Sequence, residues 1–121
     1  MTTTTQDVTA RDQKLNEAVL AGKALEAFDE YYADDVVMQE NNNPPFTGKA
    51  TNRKREEDFF GGIAEVHDVK LLSSAAQGEV SFGEWLFDVT FKDGKRYRLE
   101  QVSMRRWKNG QVVFERFYYK G

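Results

Sequence analysis

The 121-residue chain has no cysteine, one histidine and two prolines, and each scarcity removes a class of chemistry. Without cysteine there are no disulfides, thiol nucleophiles or zinc-thiolate sites, so stability must come from packing. His67 stands alone, which rules out a metal site built from several histidines and any relay that needs two. No apolar run approaches the roughly 18 residues needed to span a bilayer. The N-terminal stretch Met1-Thr2-Thr3-Thr4-Thr5-Gln6-Asp7 also lacks the charged n-region and apolar h-region of a signal peptide. A cytoplasmic protein without a membrane partner is expected. Lys and Arg number 17 against 20 Asp and Glu, a formal net charge of -3, so the basic surplus of a general nucleic-acid binder is missing. No spacing of Glu40, Glu84 or Glu115 argues for a hard metal, and no cofactor is expected.

What is present fits one domain. Residues 1–8 read as a polar tail, and a single domain is expected over 9–121. Thr9 is a plausible N-cap for a first helix carrying Leu15, Val19 and Leu20, ended by Gly22. A second helix spans about Lys23 to Ala33, with Leu25, Phe28, Tyr31 and Tyr32 on its apolar side and Asp34-Asp35 as its stop. The β-branched run Val36-Val37-Met38-Gln39-Glu40 reads as a strand, and Asn41-Asn42-Asn43-Pro44-Pro45 as a loop. A third helix follows from Lys49 to Phe60, closed by Gly61-Gly62. Within it Arg53-Lys54-Arg55 is followed at once by Glu56-Glu57-Asp58, so the charges offset one another and a solvated face is expected.

The C-terminal half is strand-like throughout. A strand over about 66–76 turns at Gln77-Gly78, and three further runs are separated by Asp93-Gly94 and Asn109-Gly110. Both dipeptides are hairpin signals, because the tightest hairpin turns need positive φ at both central residues. The order α-α-β-α-β-β-β-β, with helices first and most strands last, predicts an α+β fold with the helices on one side of an antiparallel sheet.

That order, with Ala33-Asp34-Asp35-Val36-Val37 ending the helical pair and Trp107-Lys108-Asn109-Gly110-Gln111-Val112-Val113-Phe114-Glu115-Arg116-Phe117-Tyr118-Tyr119 closing the chain, resembles the nuclear transport factor 2-like superfamily. Within it the SnoaL-like group is most similar. The resemblance implies a curved sheet wrapped into a cone, about three helices over one side, and a pocket between them. It also implies a small apolar ligand and a homodimer formed through the outer face of the sheet. Superfamily members include isomerases, cyclases, dehydratases, epoxide hydrolases and plain binding proteins, so the site must decide the function. In the ketosteroid isomerases the catalytic carboxylate ends the first strand, and Glu40 falls at the matching place. The two oxyanion-binding positions of that mechanism fall near Leu15 or Asn16 and at Ser103, so its tyrosine and its protonated acid are missing and steroid isomerisation by that route is not expected.

Strand alternation divides each run into two faces. By the resemblance, Val113, Glu115, Phe117 and Tyr119 face the pocket, as do Gln101, Ser103 and Arg105; Phe28 and Tyr32 join them from the second helix. Glu40 and Glu115 are the candidate proton carriers, while Gln101, Ser103, Arg105, Phe28, Tyr32, Phe117 and Tyr119 are the candidate ligand contacts. The alternative for Glu115 is an ion pair with an arginine such as Arg105. For residues 79–92, hydrophobicity buries Trp85, Phe87, Val89 and Phe91, whereas counting back from Asp93-Gly94 turns Leu86, Asp88 and Thr90 inward. A single bulge would reconcile the two. His67, at a strand start, is expected to be structural or a general base at the pocket mouth.

Overall fold

The computed structural model describes residues 4–120. Helix α1 spans Thr5–Leu20, α2 Ala24–Tyr31 and α3 Lys49–Gly61; the strands are β1 Tyr32–Glu40, β2 Phe46–Thr47, β3 Ile63–Gln77, β4 Val80–Phe91, β5 Arg96–Lys108 and β6 Gln111–Tyr118. The fold is α+β, as expected. No helix among the described residues is long and apolar enough to cross a membrane.

The first helix begins a turn earlier than Thr9. Thr4 caps it: its hydroxyl accepts from the Asp7 backbone N–H at 3.1 Å and the Asp7 carboxylate accepts from the Thr4 N–H at 3.3 Å, a capping box. The start is also anchored, because the Thr5 hydroxyl accepts from the Gly78 N–H at 2.7 Å and Val8 is buried. The expected tail therefore belongs to the domain from Thr4 onward, and residues 1–3 lie outside the described residues. Helix α2 stops at Tyr31 rather than Ala33, since the backbone is already extended at Tyr32 and β1 follows without a loop.

The six strands form one sheet in the order β2-β1-β6-β5-β4-β3. All pairs are antiparallel except β1 with β6, which are parallel, so the sheet is mixed. Nothing in the local pattern of residues 32–40 announces this seam, because a parallel partner joins strands that are distant in sequence. Asn109 and Gly110 both take positive φ, at 52° and 78°, as the hairpin signal requires. At Asp93-Gly94 only Gly94 does, at 87°; the turn is wider, with the Gly94 N–H bonded to the Phe91 carbonyl at 2.9 Å and the Lys95 N–H to the Asp93 carboxylate at 2.9 Å.

Register decides which side chains point inward. The β4–β5 ladder runs without interruption, pairing Trp85 with Gln101, Phe87 with Leu99 and Gly83 with Ser103, so the aromatic face of β4 faces the helices. The inward count from Asp93-Gly94 is thus incorrect, and the irregularities lie on β3 instead, where the register against β4 shifts three times. Extra residues on one strand bend it and raise its twist, which curves this edge of the sheet. A further shift between β5 and β6 leaves Val113 as the extra residue and turns Val112 inward. Val112, not Val113, therefore packs beside Trp107 in the core with Val8, Leu15, Ala27, Phe28, Tyr31, Val36 and Met38.

Candidate functional site

The core fills one end of the space between helices and sheet, and the other end is hollow. A cavity of about 850 Å³ lies among α1, α2, α3 and the inner faces of β4, β5 and β6. Its walls are mostly aromatic: Phe28, Phe59, Phe60, Trp85, Phe87 and Phe117 all line it. Phe28 stacks on Tyr32 at 4.5 Å and Trp85 on Phe87 at 5.7 Å, so much of the wall is made of paired rings.

A charged network lies at the buried end. Arg105 Nε donates to Glu115 Oε2 at 2.8 Å, and Nη1 donates to Asp12 Oδ1 at 2.8 Å and to Asn16 Oδ1 at 2.6 Å. Tyr32 donates its hydroxyl to Glu115 Oε1. The Ser81 hydroxyl donates to Asp12 at 2.8 Å and accepts from the Trp107 indole at 2.9 Å. Burial works against the Arg105 charge, but Tyr32, Glu115 and Asp12 around it outweigh burial and hold the guanidinium protonated. Burial, then the charge of Glu115, pushes the Tyr32 phenol well above its ordinary range, so it stays a donor. Both oxygens of Glu115 are thereby occupied, which is the ion pair that stood as the alternative to a catalytic Glu115. Arg105 keeps Nη2 outside these hydrogen bonds.

Toward the mouth, Glu40 Oε2 accepts from Arg55 Nη2 at 3.0 Å. Buried Asn52 sets the arginine: its amide donates to the carbonyls of Phe46 and Gly48 at 3.0 and 2.9 Å, and its Oδ1 accepts from Arg55 Nη1 at 3.0 Å. The guanidinium carbon also sits 3.8 Å from the centre of the Phe46 ring. Tyr119 lies beside this pair, and burial followed by the charge of Glu40 raises its phenol pKa.

Phe28, Tyr32, Glu40, Gln101, Ser103, Arg105, Glu115, Phe117 and Tyr119 all line this one cavity. His67, on β3, does not; its Nε2 is 2.8 Å from the hydroxyl of Thr90 on β4. Arg55 and Glu56 also line the cavity, although both sit in the charge run read as a solvated face. Half of that reading holds: Arg53 pairs with Asp29 and Glu57, and Lys54 with Asp58. The signal that separates the two halves is helical spacing, since Asn52, Arg55, Glu56, Phe59 and Phe60 recur every three or four residues and share one face. Among the described residues nothing hydrogen-bonds or ion-pairs with the Glu56 carboxylate. Burial, then the charge of Glu115, pushes it up to about 7.

The network predicts a large cost for removing its centre. Arg105→Met leaves Asp12 and Glu115 buried without their counter-charge and should destabilise the fold by about 3–5 kcal/mol in urea unfolding. The double variant Arg105→Met/Glu115→Gln should recover part of that loss, and equal stability of the two variants would contradict the pairing.

A SnoaL-like domain profile matches residues 3–119. Among solved structures, a proposed SnoaL-like polyketide cyclase from Mesorhizobium loti is 27% identical, with a TM-score of 0.84 over 93% of this chain and 98% of its own. A proposed polyketide cyclase from Xanthomonas campestris is 20% identical, TM-score 0.78, over 96% and 92%. An LEH-like epoxide hydrolase from M. tuberculosis is 19% identical, TM-score 0.74, over 97% and 84%. The last two likenesses concern the fold alone. No curated protein matches. With its profile match spanning nearly the whole chain, the protein belongs to the SnoaL-like domain family.

Proposed function

We propose that the protein takes up a mainly apolar molecule bearing a carbonyl or hydroxyl group and binds it, or converts it by cofactor-free proton transfer of the isomerase, cyclase or dehydratase kind. The cavity carries this reading. Its volume of about 850 Å³ is in the range of small-molecule sites, and its aromatic walls with a few polar groups have the composition of such sites. Gln101 and Ser103 line it without a hydrogen-bond partner among the described residues, and Arg105 keeps Nη2 outside its network, so donors remain for a ligand oxygen. Four carboxylates, Glu40, Glu56, Glu100 and Glu115, line the same space; the Glu100 side chain is 71% exposed and paired with Arg98, which leaves the other three as proton carriers. Complete pairing of Glu115 favours the second reading, a binding module without turnover.

Benzophenone, an uncharged apolar ketone, is a direct probe. Trp85 lines the cavity and Trp107 does not, so binding should quench tryptophan emission saturably, and Trp85→Phe should abolish most of the response. No saturable change up to the solubility limit would contradict a ligand pocket.

The outer sheet face supports a homodimer within the same reading. Phe82, Val102 and Tyr118 are 44%, 40% and 41% exposed and adjoin one another through Met104 across β4, β5 and β6. Along β5 the outward residues run Arg106, Met104, Val102, Glu100, basic at one end and acidic at the other. A two-fold axis through the middle of this run lays Arg106 against Glu100 of a second copy, a self-complementary arrangement. Sedimentation should give a dimer that Val102→Arg converts to monomer; a wild-type monomer would exclude it.

A further inference from the structure

We infer that Glu56 is the proton-transfer residue of the cavity, acting on an acidic C–H of an uncharged apolar ligand whose oxygen is held by Gln101 and Ser103. The inference rests on the pocket reading above and assigns within it a role that the charge run of α3 conceals.

Of the four lining carboxylates, Glu100 is largely exposed and pairs with Arg98. Glu115 has Oε1 bonded by Tyr32 and Oε2 bonded by Arg105, so taking a proton would break a buried ion pair. Glu40 is held by Arg55 at 3.0 Å, with its side chain 39% exposed, so its carboxylate is already engaged and reached by solvent. Glu56 is neither paired nor hydrogen-bonded among the described residues, and it shares the cavity with Phe59, Phe60 and Phe28.

Charge balance points the same way. The charged groups acting on Glu56 are Glu115 on β6 and Glu40 on β1, which disfavour its charge, and Arg55 on its own helix and Arg105 on β5, which favour it; Arg98, Glu100 and Lys120 also line the cavity. Arg98 lies 3.3 Å from Glu100, Arg55 pairs with Glu40, and Arg105 is shared by Glu115 and Asp12. Arg55 and Arg105 are thus bonded to other acceptors, and their pull on Glu56 is outweighed by burial and by the charge of Glu115. A carboxylate in this position is a stronger base than one in water, and its pKa near 7 leaves it able both to accept and to return a proton near neutrality. The donors Gln101 and Ser103 stand on β5, across the cavity from α3, where they can hold the oxygen on which charge develops as the proton leaves.

The test uses 5-nitrobenzisoxazole, an apolar, uncharged substrate for a carboxylate base. Its ring C–H proton passes to Glu56, the C–H electron pair forms the nitrile, and the N–O bond breaks with its pair leaving on oxygen, giving a coloured cyanonitrophenolate. Wild-type protein should accelerate the reaction saturably, with kcat rising with pH and levelling above about 7. Glu56→Gln should lower kcat about 100-fold with probe binding, read by quenching of Trp85, unchanged. Glu57→Gln, one position along α3 and paired with Arg53 at the surface, should keep the rate within a few-fold. Binding without acceleration, or a rate that survives Glu56→Gln, overturns the assignment of Glu56 alone. Failure of the wild type to bind the probe overturns the pocket reading and this inference together.

Discussion

A single guanidinium, that of Arg105, ties the helical layer to the sheet. It stands on β5, reaches across to Glu115 on β6, and meets Asp12 and Asn16 on α1. Buried charges are tolerated only when their hydrogen-bonding capacity is met, and here each neighbour has a second partner: Tyr32 for Glu115, Ser81 for Asp12, Trp107 for Ser81. Such a chain is directional, which an apolar contact is not. It fixes the depth at which α1 sits over the sheet and so sets where the packed core ends and the cavity begins. Arg11 adds a second tie, donating to the Gly110 carbonyl at 2.7 Å at the far end of the same helix–sheet contact.

The same arrangement divides the molecule by chemistry. At the closed end Trp107, Val112, Val36 and Met38 are buried and dense. At the open end aromatic side chains from four strands and two helices face a space that they do not fill. Three bulges on β3 curve this sheet edge while β4 and β5 stay in uninterrupted register, so the wall there bends without changing which of their residues face in. The carboxylate of α3 acquires its character from this geometry, because a glutamate on the same helix one position later, Glu57, pairs with Arg53 and is an ordinary surface group.

Much of this was legible in the chain because it is local. Turn dipeptides, strand alternation and the terminal aromatic run placed β3 to β6 in order, while the resemblance to the family chose the inward face and so the nine residues that line one cavity. What escaped is what depends on partners distant in sequence or on angle. The capping box at Thr4 and Asp7 was hidden in a polar run that carries no hydrophobic signal. The extra residue at Val113 shifted the inward face of β6 by one, which no alternation count detects until it meets Trp107. Glu56 was read by its charge neighbours along the sequence, where Arg53, Lys54 and Arg55 cancel it; around the helix it shares a face with Phe59 and Phe60, and those arginines and lysines mostly point elsewhere.

The cavity presents one carboxylate, that of Glu56, whose pKa burial and Glu115 hold up against the weaker pull of Arg55 and Arg105. Carbon-13 NMR of protein labelled at the glutamate carboxyls, titrated from acid to mild alkali, reads this directly. One resonance should titrate near 7 and should be missing from the Glu56→Gln spectrum. A Glu56 resonance with its midpoint in the ordinary glutamate range, about 4.3, would contradict the account.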